Sequence, residues 1–116
     1  MKRTNQGRVV LVTCGTLKEA GRIARTVVRK RLAACVNIIS SPVESFYTWK
    51  GKLERAREYL LMMKTVTKRL AELESQVKRL HSYEVPEFVA LAITEGSKKY
   101  LSWMEENVAK SNKAKK

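Results

Sequence analysis

Residues 81–87, His-Ser-Tyr-Glu-Val-Pro-Glu, are the stretch from which the fold is most directly predicted. Pro86 disfavours a helical conformation at Val85, so a helix that precedes this stretch must end in an extended turn. The apolar run at 88–93 that follows has the composition of a short strand. The stretch is therefore predicted to join a helix to a strand. It carries the only histidine of the chain, two glutamates and a tyrosine.

Apolar residues at helical spacing predict two main helices and a third near the C-terminus. The helix before His81 carries an apolar stripe of Leu70, Leu73, Val77 and Leu80. An earlier helix, capped by Thr16, carries a longer stripe: Ala20, Ile23, Ala24, Val27, Val28 and Leu32. The last helix follows a cap at Ser97 and is predicted to run from Lys98 to about Val108.

Runs rich in apolar and β-branched residues predict the strands. They cover 8–14, 33–39, 43–49, 53–64 and 87–94. The second and third runs are interpreted as one strand interrupted at Pro42, which cannot donate a hydrogen bond to a neighbouring strand and so marks a bulge or an edge. Lys50-Gly51 is a tight-turn signal between the third and fourth runs, which predicts a long bent hairpin.

The order of elements predicts an α+β domain of the ferredoxin-like split βαβ-βαβ class, with a C-terminal helix after the second unit. Its four-stranded antiparallel sheet should carry both main helices on one face, because the crossovers are right-handed. Several strands are nevertheless apolar on both faces. A large apolar patch is rare on a monomer, so we expect copies of the chain to cover it in a closed homo-oligomer.

The 116 residues are predicted to form one domain at 8–108, after a short extension at 1–7 and before a basic, disordered tail at 109–116. The net charge of +13 favours loose contact with polyanions through the lysine-rich tail. We expect no membrane span, since no apolar run is long enough. The N-terminus has no apolar signal core, and two cysteines without Cys-x-x-Cys spacing suit a reducing compartment, so a cytoplasmic location is expected.

Several side chains have the chemistry to bind a metal ion. They are Cys14, Cys35, Met62, Met63, His81, Glu84 and Glu87, a set that favours copper and other soft or borderline ions. For Cys14 we favour the role of a small buried hydrophobe. Catalysis by a Cys35–His81 pair would also need a third group to orient the imidazole. Glu84 and Glu87 are candidates for acid–base chemistry, although solvent-facing carboxylates or partners of Lys64 are the more ordinary interpretation.

RNA recognition is the competing class, because RNA-recognition motifs share this strand order. Those modules stack bases on aromatic side chains of their central strands. Here the first strand has no aromatic residue and the long strand after Gly51 offers only Tyr59. The aromatic residues Phe46, Tyr47 and Trp49 lie on the hairpin instead. We therefore hold sequence-specific RNA binding to be the weaker hypothesis.

Five segments together resemble the CutA family of divalent-cation tolerance proteins, in order and spacing across residues 8–108. They are 31–39, 47–52, 63–65, 81–87 and 100–103. The resemblance implies a ferredoxin-like homotrimer similar in shape to PII-type signalling proteins, with copper or other divalent-ion binding and no established enzyme activity. It also implies the site residues. Cys35, His81 and Glu84 are the candidate metal ligands, and Trp49, Lys64, Tyr83 and Glu87 are the candidate lining of a cleft near the subunit boundary.

The chain also departs from the family pattern. Ser82 stands where the family has proline, and Lys18, Arg55 and Arg57 introduce positive charge. Cations near a site repel metal ions and attract anions. The first hypothesis is therefore a non-enzymatic, trimeric metal-ion-binding protein. The alternatives are a PII-like trimer that binds a small ligand or an anion and, third, a hydrolase that uses Cys35 and His81.

Overall fold

The computed structural model describes residues 1–109. Within these residues, seven strands and three α-helices follow one another. In order they are β1 (Lys2–Arg3), β2 (Gly7–Cys14), α1 (Leu17–Arg29), β3 (Cys35–Ile38), β4 (Val43–Trp49), β5 (Lys52–Val66), a 3-10 turn (Thr67–Arg69), α2 (Leu70–Leu80), β6 (Val89–Ala92), β7 (Glu95–Gly96) and α3 (Lys98–Val108). Of the predicted tail, only Ala109 lies within the described residues.

The main sheet is antiparallel and has the strand order β3-β5-β2-β6, with β4 paired to the other half of β5. This confirms the predicted ferredoxin-like fold and the long bent hairpin. The hairpin turns at Lys50 and Gly51, whose φ angles are 52° and 81°. Two successive residues with positive φ match the right-handed twist of the flanking strands.

Both main helices pack on one face of the sheet. Helix α1 begins after Thr16, whose side chain accepts a hydrogen bond from the N–H of Glu19. Two runs of alternate residues meet the helices, one from β2 and one from β5. The resulting core contains Val10, Val12, Cys14, Ala20, Ile23, Val27, Leu32, Ala33, Leu61, Met63, Leu73 and Val77. The predicted stripe of α1 is too wide at one position, because Val28 is 39% exposed.

The other face of the sheet is partly uncovered in a single chain. Leu11 pairs with Val89, and Leu91 pairs with Val9, so these four side chains share that face. Val89 and Leu91 are each 48% exposed. An apolar surface of this kind marks a place where another surface packs.

Other differences from the prediction concern strands. The last strand of the main sheet, β6, is shorter than the predicted 87–94, and Phe88 packs against the core before that strand begins. The short ribbon of β1 and β7 was not predicted, and it joins Lys2 and Arg3 to Gly96 and Glu95. Part of the segment predicted as an N-terminal extension is therefore paired with the chain that leads into α3.

Within residues 1–109, no helix combines the length and the apolar composition of one that crosses a membrane.

Candidate functional site

His81 is the residue at which α2 ends. Its own N–H still donates to Val77 in the last helical turn, while its backbone is already extended, with φ −84° and ψ 142°. The side chain points into the molecule and is buried. Ring atom Nε2 lies 2.7 Å from the carbonyl oxygen of Thr13, and Nδ1 lies 3.1 Å from the backbone N of Tyr83. A carbonyl can only accept and a backbone N–H can only donate, so the proton is on Nε2 and Nδ1 is the acceptor.

Two further ligand-type side chains reach this imidazole. The thiol sulfur of Cys14, at the end of β2, lies 3.7 Å from Nε2. The carboxylate of Glu19, in the first turn of α1, lies 3.4 Å from Nδ1. The same carboxylate accepts hydrogen bonds from the N–H and the hydroxyl of Ser82, at 2.6 and 2.9 Å. We call Cys14, Glu19 and His81 the His81 cluster. Their ligand atoms lie within 4.8 Å of one another.

The residue types of the His81 cluster fit a borderline ion such as Zn²⁺ or Cu²⁺. Their present arrangement is that of a hydrogen-bonded joint. Burial, with smaller contributions from the charges of Glu19 and Glu58, raises the pKa of the Cys14 thiol to about 12. Both ring nitrogens of His81 are engaged, and the thiol and the carboxylate stand at different nitrogens. An ion would therefore have to displace a proton and at least one hydrogen bond.

The metal ligands inferred by resemblance do not come together in one chain. Cys35 lies at the start of β3 opposite Lys64, whereas His81 contacts Thr13, which pairs with Leu60. Four residues along β5 correspond to about 13 Å. Among the described residues, neither Cys35 nor Glu84 belongs to a group of three ligand atoms within 4.8 Å.

A cleft opens between residues 83–87 and the β4–β5 hairpin. Its volume is about 460 Å³. Ten residues line it: Thr13, Ser45, Phe46, Tyr47, Trp49, Glu58, Tyr83, Glu84, Val85 and Glu87. The structure thus brings Trp49, Tyr83 and Glu87 of the inferred cleft together. Lys64 is not part of this lining, and its ammonium group donates to the side-chain oxygen of Asn37 at 2.7 Å.

The cleft is acidic and partly desolvated. Glu58 is only 5% exposed, and one of its oxygens accepts a hydrogen bond from the hydroxyl of Tyr83 at 2.8 Å. Burial and this hydrogen bond raise the pKa of Tyr83 above its ordinary value. The pKa of Glu87 is also raised, by burial first and then by the negative charge of Glu58. The negative charges of these two carboxylates therefore repel each other within the cleft.

Glu19 and Glu58 are the site residues that the sequence analysis missed. Glu19 stands three residues after the cap Thr16, a spacing typical of a capping box, which would turn its carboxylate towards the start of its own helix. In the structure it binds Ser82 instead. Glu58 directly precedes the apolar run at 59–63, and a charged residue beside a buried strand segment is the one local signal that could have singled it out.

The family model described as "CutA1 divalent ion tolerance protein" matches residues 8–107. Divalent-cation tolerance protein CutA of Thermus thermophilus is 46% identical over 99 residues, which are 85% of this chain and 95% of that protein. The protein of the same name from Archaeoglobus fulgidus is 42% identical over 99 residues, with the same coverage. A solved structure of the divalent cation tolerance protein from Thermus thermophilus superposes with a TM-score of 0.86 at 45% identity, and covers 89% of this chain and 99% of that one.

Proposed function

Because the chain belongs to the CutA family of divalent-cation tolerance proteins, we propose that it binds a divalent metal ion, with copper the first candidate, and serves in tolerance of such ions. The observation that carries the proposal is the His81 cluster, in which an imidazole, a thiol and a carboxylate lie within 4.8 Å of one another. Copper and zinc ions bind imidazole and thiolate ligands more readily than hard cations do. His81 would contribute a ring nitrogen, Cys14 a thiolate and Glu19 a carboxylate oxygen.

Binding at this cluster exchanges protein bonds for metal bonds. A metal ion lowers the pKa of a coordinating thiol, which offsets the high pKa that burial gives Cys14. The hydrogen bond from His81 to Thr13, or the one from Tyr83 to His81, must also be given up. We therefore expect an affinity below that of a site whose ligands are free, and a change of backbone position around Ser82 on binding.

A second ligand set is Cys35, His81 and Glu84. Since Cys35 is distant from His81 within one chain, a site of this composition needs Cys35 from a neighbouring copy. This version depends on the oligomeric state, whereas the His81 cluster belongs to one chain.

We further propose a closed homotrimer. The support is the partly uncovered sheet face, where Val9 and Leu11 lie beside the half-exposed Val89 and Leu91. Burial of this apolar surface between copies would stabilise the assembly by about 25 cal/mol for each Å² removed from water. Sedimentation equilibrium at micromolar concentration tests it, with Leu91→Lys as the disrupting variant, and a monomeric mass for the parent would contradict it.

A copper titration against a competing chelator separates the two ligand sets. We expect one ion per chain, with affinity reduced about tenfold or more in Cys14→Ser and in Glu19→Gln, because each removes one ligand. Cys35→Ser is the matched control, since it changes the other cysteine. If Cys35→Ser and Glu84→Gln lose binding while Cys14→Ser keeps it, the site is the shared one. Equal binding by all four variants would contradict both.

Other parts of the expected function are narrower. No reaction is proposed, since the family description names tolerance of ions and not a chemical step. The similar proteins give no support to the PII-like alternative. Non-specific contact with polyanions through the basic tail remains a prediction about residues outside the described part of the chain. A cytoplasmic location is proposed. The similar structure from Archaeoglobus fulgidus is described as that of a periplasmic protein, so cell fractionation is the test that decides between the two compartments.

A further inference from the structure

The cleft beside Tyr83 has the opposite charge to the chain as a whole. The chain has 24 lysines and arginines against 11 glutamates. The ten residues that line the cleft include Glu58, Glu84 and Glu87 and neither lysine nor arginine. The cationic groups of Lys50 and Arg55 lie 5.9 and 5.8 Å from the Trp49 and Phe46 rings, but neither residue is part of the lining. On so basic a protein, a pocket with three glutamates and no lysine or arginine in its lining is a local feature that calls for its own explanation.

Glu58 is the centre of this feature. Only 5% of its surface is exposed. Within residues 1–109, no lysine or arginine forms a salt bridge with it. Tyr83 donates to one carboxylate oxygen. Every fully buried side-chain oxygen in the described part of the chain has a hydrogen-bond partner. Among these residues, the second oxygen of Glu58 has no such partner, so this oxygen is not fully buried and reaches accessible space. Since Glu58 lines the cleft, that space is the cleft. A buried charge with one neutral donor is stabilised further by a cation.

The walls of the cleft are suited to a cation with an apolar body. Phe46, Tyr47, Trp49 and Tyr83 contribute aromatic rings to the lining. Ring faces attract cations, most strongly those that are weakly hydrated. The ammonium of Lys50 already lies 5.9 Å from the centre of the Trp49 ring, although Lys50 does not line the cleft. The volume of about 460 Å³ is within the range of small-molecule pockets.

The spacing of the carboxylates argues against a metal ion here. Among the described residues, the His81 cluster is the group of three ligand side chains that converges within 4.8 Å, and the three cleft glutamates do not form another. An ion such as Mg²⁺ or Zn²⁺ needs several ligand atoms about 2 Å from its centre. An organic ammonium ion can instead contact one carboxylate with its charge and the rings with its carbon atoms.

We propose that the cleft formed by the β4–β5 hairpin and residues 83–87 binds a small organic ammonium cation, with Glu58 as its charged anchor and Trp49 as its principal aromatic wall. This site is separate from the His81 cluster and does not depend on it, while it shares Glu84 with the second ligand set.

Calorimetric titration with benzylammonium tests the proposal, with benzyl alcohol as a neutral probe of nearly the same shape. The full chain at low salt should bind one benzylammonium per chain and bind benzyl alcohol at least about tenfold more weakly, since a hydrogen bond to a charged group is among the stronger ones. Glu58→Gln keeps an acceptor for Tyr83 and should weaken benzylammonium about tenfold or more. Trp49→Leu, at a partly exposed position, should weaken it about threefold to thirtyfold.

Glu54→Gln is the matched control, because Glu54 lies on the same strand but outside the lining. It should bind as the parent does. Equal binding of benzyl alcohol, or unchanged affinity in folded Glu58→Gln and Trp49→Leu, overturns the proposal. Displacement of benzylammonium by Cu²⁺ or Mg²⁺ overturns it in favour of a metal site. Cys14→Ser should leave benzylammonium binding unchanged even where it abolishes copper binding, so the two proposals can fail separately.

Discussion

The His81 cluster and the cleft both draw residues from the same short stretch, 81–87, and each contains a glutamate that is largely removed from water. Glu19 is held by two donors from Ser82 and stands beside the imidazole. Glu58 has a single donor, from Tyr83, and one oxygen that reaches accessible space. A carboxylate whose hydrogen bonds are filled by its own chain stabilises the fold. One that is left partly unfilled beside a cavity is available to a ligand. The following predictions test this contrast between a closed polar cluster and an open one.

The largest expected effect concerns the reactivity of Cys14. Its pKa of about 12 leaves very little thiolate near neutral pH, and the thiolate is the nucleophile. Alkylation by iodoacetamide at pH 8 should therefore be about a thousandfold slower than that of a free thiol. Peptide mass spectrometry over time measures the rate, with Cys35 of the same chain as the internal reference. Labelling of Cys14 as fast as Cys35 would show that the cluster is open.

Removing the imidazole should destabilise the fold strongly. His81→Ala leaves the carbonyl of Thr13 and the N–H of Tyr83 without their partner in a buried place, and we expect a loss of about 3 kcal/mol in the free energy of unfolding. Urea denaturation measures it. Ser75→Ala, on an exposed position of α2, is the control and should change stability little. A loss below about 0.5 kcal/mol would mean that His81 is not a structural joint.

The two glutamates should respond differently to loss of charge. Glu19→Ala removes the acceptor for both donors of Ser82 and should cost about 1 kcal/mol, since water can partly replace it at this edge. Glu58→Gln keeps an acceptor for Tyr83 and removes a poorly compensated charge, so stability should stay within about 0.5 kcal/mol or rise. Urea denaturation of both variants in one buffer makes the comparison. A larger loss for Glu58→Gln than for Glu19→Ala would reverse the assignment of closed and open regions.

The smallest expected effect is a pH dependence at Glu87. Its pKa is raised in the folded state, so the folded protein holds the proton more tightly than the unfolded one does. This favours folding below the ordinary glutamate pKa and is lost as the pH rises through the folded-state pKa. Glu87→Gln should therefore lose less stability than the parent between pH 4 and pH 7. Parallel urea titrations at the two pH values measure the difference, and identical pH profiles would contradict the expectation.

Much of the fold could be predicted because its determinants are local. The spacing of Ala20, Ile23 and Val27 defines the buried face of α1, and Lys50-Gly51 defines the hairpin turn. The β1–β7 ribbon was missed because strands of two residues carry no period. Val28 was placed on the buried stripe because helical periodicity gives the direction of a face but not its width.

The site was only partly predictable, for a different reason. The 81–87 stretch was identified as a junction, and the turn at Pro86 follows from backbone sterics. The partners of His81 lie 62 and 67 positions earlier in the chain, at Glu19 and Cys14, and no local pattern connects them. Glu58 was passed over because its isolation from basic residues is a property of the folded surface and not of its neighbours in sequence.

The sheet register also sets an order in which the chain can fold. Along the β4–β5 hairpin, Trp49 pairs with Lys52, three residues later. The most distant pair of this hairpin, Val43 and Glu58, is separated by only fifteen residues in sequence. Between β2 and β5, Cys14 pairs with Tyr59, 45 residues later, and Gly7 pairs with Val66, 59 residues later. Loop closure over the shorter separations loses less entropy, and hairpins form within about 10 μs. The hairpin that carries the aromatic wall of the cleft can thus form early. The side built by residues 83–87 forms only after the long-range pairing of β2 with β5. Pulse-labelled hydrogen exchange during refolding tests this order, and protection of the β2 amides before those of the hairpin would refute it.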